Sequence, residues 1–434
     1  MIVGLRIDPY QGGKDAGPLD WWHGVNLPGF ITMKTTLRSF LLLLAASALP
    51  ALAAEPASFA DAIAQGKFSV NARLRYESVR QSALTDANAL TLRTRLGFAP
   101  AAYHGWKAFA EAENIVAADG DAYSQAGLNP GGTGRAVVAD PEVTELKQLY
   151  VGYTADRTTV TVGRQRLVLD NARFVGDVGW RQDMQTFDAV VVQDKSYDKT
   201  TLTYAYVDRV LRVFSRRHAQ GQWDSKTHLF NASYAGWSAG TLTGYGYLMD
   251  FNNSATNSNA TYGASLAGSR AVSDGLTLTY RAEAAVQSDY GSSTLNYSAN
   301  YGALEAGLGN KTATLGLGYE VLGSDNNIGF KTPLATLHAF NGWADLFLAT
   351  PAAGLRDTYA KATANLPQAV ALVASYHEFK ADTGGADFGH EADVQLTRKF
   401  GPRFTGVAKY ADFRRNAVAF PNVRKFWLQM DCAF

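Results

Sequence analysis

From residue 67 onward the chain alternates apolar and polar side chains in segments of about ten residues, and turn residues separate the segments. The first segment places apolar residues on one face, namely Phe68, Val70, Ala72, Leu74 and Tyr76. Its other face is polar and consists of Ser69, Asn71, Arg73, Arg75 and Glu77. Successive side chains of a strand point to opposite sides of the sheet, so one face can contact lipid while the other lines a water-filled interior. The pattern predicts an all-β fold, a transmembrane antiparallel β-barrel.

The connections between the segments alternate in length. We expect short turns at 100–104, 155–157, 195–199, 236–239, 272–274, 310–311, 366–368 and 401–402. We expect longer loops at 79–88, 115–142, 168–185, 209–225, 252–260, 288–293, 322–356, 381–387 and 414–423. Long external loops alternate with short periplasmic turns in such barrels, so this order predicts 18 strands, and an error of one hairpin would give 16.

The N-terminal region has the features of an export signal. A positive stretch around Lys34 and Arg38 precedes the apolar residues 40–49, and Ala51-Leu52-Ala53 fits the small-residue rule for cleavage. A single membrane anchor is the alternative, but the apolar run is short and no positive flank follows it. We therefore expect four regions. They are an upstream extension (1–32) that precedes the true start, a signal peptide (33–53), a short periplasmic segment (54–66) and the barrel (67–434).

The last strand carries a signal of its own. Its apolar residues alternate and reach the final position of the chain: Phe426, Leu428, Met430, Cys432 and Phe434. Outer-membrane barrels commonly end in such a strand with a terminal Phe, so the barrel-assembly machinery is an expected partner. The lone Cys432 is expected to face lipid as a small apolar side chain.

Composition and charge exclude several classes of protein. Only 18% of the 434 residues are charged and the mean hydropathy is −0.14, with no series of long apolar runs typical of a helical membrane protein. Removing residues 1–53 takes four of the 40 basic and three of the 39 acidic residues, which leaves 36 of each. This balance gives no reason to expect nucleic acid as a partner. One Cys and seven scattered His predict no metal site and no cofactor.

Two stretches resemble a known family. The first contains GRQ at 163–165, RFVG at 173–176, WRQD at 180–183 and TFDA at 186–189. The second contains YEVLGSD at 319–325, FKTPLAT at 330–336 and FNGWAD at 340–345. Both are similar to the alginate-export family of outer-membrane porins. The resemblance implies a monomeric 18-stranded barrel with loops folded over or into the pore, whereas the near-neutral charge does not match a strongly basic lumen for a polyuronate.

Charged residues on the inward faces of three consecutive strands are the first candidates for pore selectivity, because a pore selects by its width and its wall charges. They are Arg73, Arg75, Glu77, Arg93, Arg95, Lys107, Glu111 and Glu113. The alternative is that Arg and Glu on neighbouring strands only neutralise each other and brace the barrel.

The loop after the fifth strand is the second candidate. It mixes apolar residues with charged ones, namely Arg166, Asp170, Arg173, Asp177, Arg181 and Asp183. Apolar groups favour a loop that packs inside the barrel, where its Arg and Asp would set a transverse field across a constriction. The alternative is a loop that lies over the rim.

The connection 323–356 is the third candidate, as loops of this length are usually functional or disordered. Its apolar and aromatic content argues for a packed plug or cap that includes Phe340, Trp343 and Asp345. The carboxylates in loop 115–142 are Asp119, Asp121, Asp140 and Glu142, and they match no Ca²⁺-loop spacing, so we expect solvated charges. Aromatic girdles at the membrane interfaces are expected to include Trp106, Trp237, Tyr301, Tyr319 and Trp427.

Three functions remain open on these residues. The first is passive diffusion of small hydrophilic solutes, anions among them, or of a polyuronate as in the resembling family. The second is an enzyme on a barrel, which needs a nucleophile, a His and an acid at one site, and no recognisable setting for them is present. The third is an adhesin or structural barrel whose lumen is plugged. In each case the expected surroundings are outer-membrane lipid and lipopolysaccharide of a Gram-negative bacterium.

Overall fold

The chain forms a closed antiparallel barrel of 18 strands in the computed structural model, which describes residues 55–434. Strands β1 to β20 are Lys67–Gln81, Ala87–Ala99, Trp106–Ala117, Val143–Ala155, Thr158–Gln165, Thr186–Asp194, Thr200–Leu211, Gln222–Trp237, Gly240–Met249, Asn259–Ser273, Leu276–Asp289, Ser298–Gly309, Ala313–Leu322, Ser324–Asp325, Ile328–Gly329, Leu355–Leu366, Val370–Lys380, Asp387–Phe400, Phe404–Arg415 and Val423–Ala433. The short β14 and β15 form a separate hairpin outside the barrel sheet. The predicted fold class and strand number are confirmed, and the alternative of 16 strands is wrong.

Closure occurs between the first and last barrel strands. β1 pairs with β20 from Asn71 opposite Ala433 to Gln81 opposite Val423, and β1 also pairs with β2. Every other barrel strand pairs with its neighbours in chain order, so the described sheet has no free edge. Each predicted short turn falls between two strands, as the alternating pattern requires.

A short helix precedes the barrel. Helix α1 (Phe59–Ala64) begins after Ser58, whose hydroxyl accepts from the Asp61 N–H at 3.1 Å. The Ala62 carbonyl accepts from the Ala101 N–H at 2.9 Å, which ties the helix to the turn between β2 and β3. The predicted upstream extension and signal peptide lie outside the described residues. No helix within 55–434 has the length and hydropathy of a membrane-crossing helix.

The outer surface is apolar, as the alternation predicts, but the girdle prediction is partly wrong. Trp106, Trp237 and Tyr319 are exposed on the outside of the barrel. Tyr301 and Trp427 are buried in the interior, 4% and 0% exposed. Each of these two alternates with outward-facing neighbours on its own strand, so its position in the strand directs it inward.

The hydrophobic core lies inside the barrel and is built by loops. We name residues 166–185, between β5 and β6, the inner loop, and residues 323–354, between β13 and β16, the long loop. Val175 of the inner loop and Phe330 and Leu334 of the long loop are fully buried in one cluster with inward-facing strand residues. A barrel of 18 strands would otherwise enclose a wide aqueous channel. The loops therefore determine how much of that lumen is open.

Candidate functional site

The inner loop and the long loop bind each other at mid-lumen. Val175 and Leu334 form a parallel bridge, in which the Gly176 N–H donates to the Leu334 carbonyl at 2.8 Å. The side-chain amide of Gln185 donates to the Gly176 carbonyl at 2.8 Å and to the Leu334 carbonyl at 3.2 Å. Backbone hydrogen bonds of this kind fix the register of the two loops, so they form one unit.

Arginines on β1 and β2 hold the inner loop against the wall. Arg73 and Arg75 both donate to the Trp180 carbonyl, at 3.0 and 2.5 Å, and Arg95 donates to the Gln182 carbonyl at 3.2 Å. The Arg75 guanidinium also lies 4.2 Å from the centre of the Trp180 ring. These arginines donate both to backbone carbonyls of the inner loop and to side chains of neighbouring strands. Their first effect is to anchor the loop inside the barrel, and not over its rim.

Replacing Arg75 with Gln should release the inner loop. The loss of a buried charged donor costs about 1.5–3 kcal/mol per hydrogen bond, so the loop should open often enough for trypsin to cut after Arg173 and Arg181. The measurement is mass spectrometry of the folded, trypsin-treated protein. The matched control is Arg424→Gln on the outer face of β20, which should cut like the wild type. If trypsin cut after Arg173 and Arg181 no faster in Arg75→Gln than in the wild type, the anchoring role would be contradicted.

Asp345 of the long loop joins both loops to the wall. Its carboxylate accepts from Arg181 of the inner loop at 3.2 Å, from Lys425 of β20 at 2.6 Å and from His338 at 2.7 Å. Arg181 donates in addition to Glu77 of β1 at 3.0 Å. Burial alone would raise the pKa of Asp345, but His338, Lys425 and Arg181 together hold it well below its ordinary value. Asp345 is therefore ionised and central to the packing of the loops.

A buried lysine sits among aromatic rings beside this carboxylate. The Lys409 ammonium of β19 lies 3.5 Å from the centre of the Trp343 ring and 4.2 Å from that of Trp180. His338 stacks on Trp180 with ring centres 4.6 Å apart, and its Nε2 contacts Lys409 Nζ at 2.8 Å. Burial lowers the pKa of His338 well below its ordinary value. A neutral ring that donates from Nδ1 to Asp345 and accepts at Nε2 fits both contacts.

Acidic residues on the strands that precede β19 also bind the loops. Arg173 of the inner loop donates to Glu320 of β13 at 2.6 Å. Asn341 of the long loop donates to Glu320 at 2.6 Å and to Asp357 of β16 at 3.1 Å. Glu391 of β18 accepts from a backbone N–H of the long loop at 2.6 Å. The lumen thus has a basic wall (β1, β2, β19 and β20) and, adjoining it where β18 pairs with β19, an acidic wall (β13, β16 and β18), and the loops bind both.

The three predicted plug residues contact the inner loop or the wall. The Phe340 ring lies 4.7 Å from the Arg173 guanidinium, and Trp343 and Asp345 make the contacts with Lys409 and Arg181 described above. Their side chains thus belong to the network of contacts that joins the two loops to the wall. A role of these residues in restricting flow stays a prediction.

The charged residues of the inner loop pair partly with each other and partly with the wall. Arg166 pairs with Asp177, with Nε and Oδ2 2.7 Å apart. Asp170 accepts from Asn231 of β8 at 2.8 Å. Asp183 forms a buried ion pair with the wall. A transverse field across a constriction stays a prediction.

The other wall residues predicted as candidates fit the alternative hypothesis, in which side-chain pairs on neighbouring strands brace the barrel. They contact adjacent strands: Arg93 donates to Asn71, Glu111 accepts from Gln148 at 2.9 Å and Glu113 accepts from Arg95 at 2.5 Å. Lys107 is exposed at the start of β3, away from the loops. The structure does not bring it together with the other candidates.

Loop 115–142 contributes a residue whose predicted solvation is wrong. Asp140 is 1% exposed, accepts from the Gln182 N–H at 2.8 Å and lies 3.5 Å from Arg75 Nη1. The loop folds inward and brings this carboxylate to the basic wall. No group of three or more His, Cys, Asp or Glu within 55–434 is placed to hold a metal ion.

Sequence reasoning missed the lumen residues of the late strands. Lys409 and Lys425 lie on the inward faces of β19 and β20, opposite lipid-facing apolar residues, so the alternation was sufficient to find them. Lys147, the partner of Asp183, occupies an irregularity in the pairing of β3 with β4. The bulge places Lys147 and the next residue, Gln148, on the same inward face, so the alternation changes phase there and periodicity alone does not assign both residues to the lumen.

Comparisons with known proteins agree with this architecture. A family model described as alginate export matches residues 65–320, more than half of the chain. No curated protein matches the sequence.

Solved structures of similar fold are outer-membrane proteins of two bacteria. OccAB4 of Acinetobacter baumannii has a TM-score of 0.69 at 14% identity, covering 85% of this chain and 98% of its own. OpdQ of Pseudomonas aeruginosa has a TM-score of 0.66 at 13% identity, covering 85% and 99%. OpdK of Pseudomonas aeruginosa, crystallised with vanillate, has a TM-score of 0.66 at 15% identity, covering 86% and 99%. With the family match over 65–320, the predicted resemblance is confirmed: the chain belongs to the alginate-export family and is a β-barrel of the Gram-negative outer membrane.

Proposed function

We propose that the protein is a porin for passive diffusion of small hydrophilic solutes through a lumen narrowed by the inner and long loops. One observation carries this proposal. The loops are bound to both walls by charged and polar side chains, such as Arg75, Asp345 and Glu320, rather than by a continuous apolar seal. An 18-stranded wall leaves room for water around such a unit.

The charges on the lumen walls support a modest preference for anions. The basic wall presents four arginines, Arg73, Arg75, Arg93 and Arg95. Three of them donate to carbonyl, carboxylate or amide oxygens. Arg93 donates to the Asn71 amide oxygen, and its Nε and Nη1 have no hydrogen-bond partner among residues 55–434. The acidic wall is occupied in the same way by Arg173 and the long loop. Since a pore selects by the charge that remains uncompensated, removing Arg173 or Arg181 should shift the selectivity toward cations, because their carboxylate partners would then be unpaired.

Ion selectivity of Arg173→Ala and Arg181→Ala should test the finer part of this proposal. Each substitution leaves carboxylates unpaired at the loops, Glu320 in one case and Glu77 with Asp345 in the other. A unit charge about 8 Å from a passing ion in water changes its energy by about 0.5 kcal/mol. The change has opposite signs for chloride and potassium, so the chloride-to-potassium permeability ratio should fall about fivefold.

Reversal potentials under a KCl gradient measure that ratio. The control is Arg398→Ala at the short-turn end of β18, far from the loops, which should keep the wild-type potential. Wild-type selectivity and conductance in both loop variants would show that the loop arginines do not form the constriction.

A second candidate function is a structural barrel with a closed lumen. The fully buried residues Phe330 and Leu334 favour it, because they show how tightly parts of the two loops pack. The solute, the lack of enzymatic activity, the monomeric state and the contact with the assembly machinery stay predictions. The apolar outer surface fits a surrounding of lipid and lipopolysaccharide.

A further inference from the structure

A cavity of about 400 Å³ opens in the half of the lumen nearer the short turns. Strands β11, β12, β13, β16 and β17 form its outer side, and residues 339–343 of the long loop cover it toward mid-lumen. Its volume is within the range of pockets for small molecules, roughly 300–1,000 Å³. None of the candidate residues predicted from the basic wall lines it.

Inward-facing glycines shape this space: two of them leave it open, and a third makes room for a side chain of the wall. Gly307 of β12 lies directly opposite Gly316 of β13, and Gly318 occupies the next inward position of β13. A Cβ at Gly318 would lie 2.1 Å from the ring of Tyr359, so that ring crosses the strand only because position 318 is Gly. The glycines leave a floor of bare backbone where other strands carry side chains into the lumen.

Opposite charges flank the glycine floor. Glu305 on β12 lies opposite Gly318 and accepts from the Tyr359 hydroxyl at 2.7 Å, which leaves its other oxygen open to the cavity. Lys361 on β16 lies opposite Gly316, is exposed, and has no hydrogen-bond or ion-pair partner among residues 55–434. The two Cα atoms are about 12 Å apart by strand spacing and rise, so their extended side chains leave a gap of molecular size.

The other charges at the cavity are already neutralised within the wall or by the inner loop. Arg281 lies opposite Glu305 but donates to Glu283 of its own strand at 2.7 Å. Glu320 binds Arg173, and Asp357 contacts His377 at 2.9 Å. Lys361 and Glu305 are therefore the pair with capacity for a ligand.

We propose that this cavity binds small zwitterionic solutes on their way through the pore, with the carboxylate at Lys361 and the ammonium at Glu305. The carbon chain of the solute, between its two charged groups, would lie on the glycine floor, and Phe340 and Trp343 would cover it. Because the ligand class is that of a transported solute, the inference rests on the proposed porin function.

The test uses the folded mature protein and three probes of similar size: 4-aminobutyrate, butyrate and butylammonium. Saturation-transfer NMR titrations should show that 4-aminobutyrate binds at least about tenfold more tightly than either singly charged probe. Lys361→Met and Glu305→Gln should each lower that affinity about tenfold, since each removes one charge-assisted contact. Gly316→Val, which fills the floor without changing charge, should abolish binding.

The matched control is Gly302→Val on β12, where a Cβ would meet nothing within 4 Å on the outer face, and it should bind like the wild type. Butyrate binding as tightly as 4-aminobutyrate, or Gly316→Val binding as the wild type does, would overturn the proposed site. KCl conductance of the same preparations separates the two proposals. Conductance without zwitterion binding overturns the site alone, whereas binding without conductance supports the site and overturns the porin function.

Discussion

Replacing residues 332–350 with two glycines should raise the single-channel conductance at least about twofold, because the long loop fills much of a lumen that 18 strands would leave open. The structure allows this change without strain on the barrel. The Thr350 hydroxyl donates to the Phe330 carbonyl at 2.6 Å, so the two ends of the excised segment already lie side by side. The deletion also removes Asp345 and Trp343, and with them the contacts with Arg181 of the inner loop and with Lys409 of the wall.

The matched control inserts two glycines between Gly384 and Gly385 in the exposed loop between β17 and β18. That variant should conduct like the wild type. Both proteins must first show the strand content of the intact barrel by circular dichroism. If the deletion variant is folded and conducts no more than the intact protein, the long loop is a lid that leaves the limiting cross-section unchanged.

Asp345→Asn should destabilise the docking of the loops by about 3–5 kcal/mol, the usual cost of removing one partner from a buried ion pair. Three groups lose their counter-charge or acceptor at once: Arg181, Lys425 and His338. Asn occupies nearly the same volume, so the barrel itself should fold. We expect frequent transitions between two conductance levels in single-channel records of this variant. For the wild type we expect one stable level.

Asp325→Asn is the control for that substitution. Asp325 belongs to the same long loop but lies in the outer hairpin, where it accepts from the Ser298 N–H at 2.8 Å. Its variant should keep one stable level. Records of Asp345→Asn that match those of Asp325→Asn would mean that the ion pairs at Asp345 do not hold the loops.

The barrel could be predicted from the sequence because its determinants are local. Alternation along a strand depends on side chains two residues apart, and a residue such as Leu74 or Arg75 is assigned to lipid or lumen by its neighbours alone. The same rule directs Trp427 inward, and the girdle prediction failed there because it considered residue type and ignored position. Boundaries followed from turn residues for the same local reason.

The candidate site could be predicted only in part, since its partners are distant in the chain. The composition of the inner loop indicated that it folds into the barrel, but nothing local pairs Arg181 with Asp345, 164 positions later. The sequence predicts a solvated Asp140, because it is one of several loop carboxylates that match no Ca²⁺-loop spacing, and only the fold brings it to Arg75. Charges whose counter-charges come from another loop cannot be assigned by periodicity.

Planar-bilayer recording of the refolded mature protein tests the central claim most directly. If the protein is a porin, we expect discrete, ohmic current steps in KCl and, under a KCl gradient, a reversal potential that indicates a modest preference for anions. Absence of steps from protein whose barrel is shown to be folded would contradict it, and the loops would then close the lumen as a structural plug.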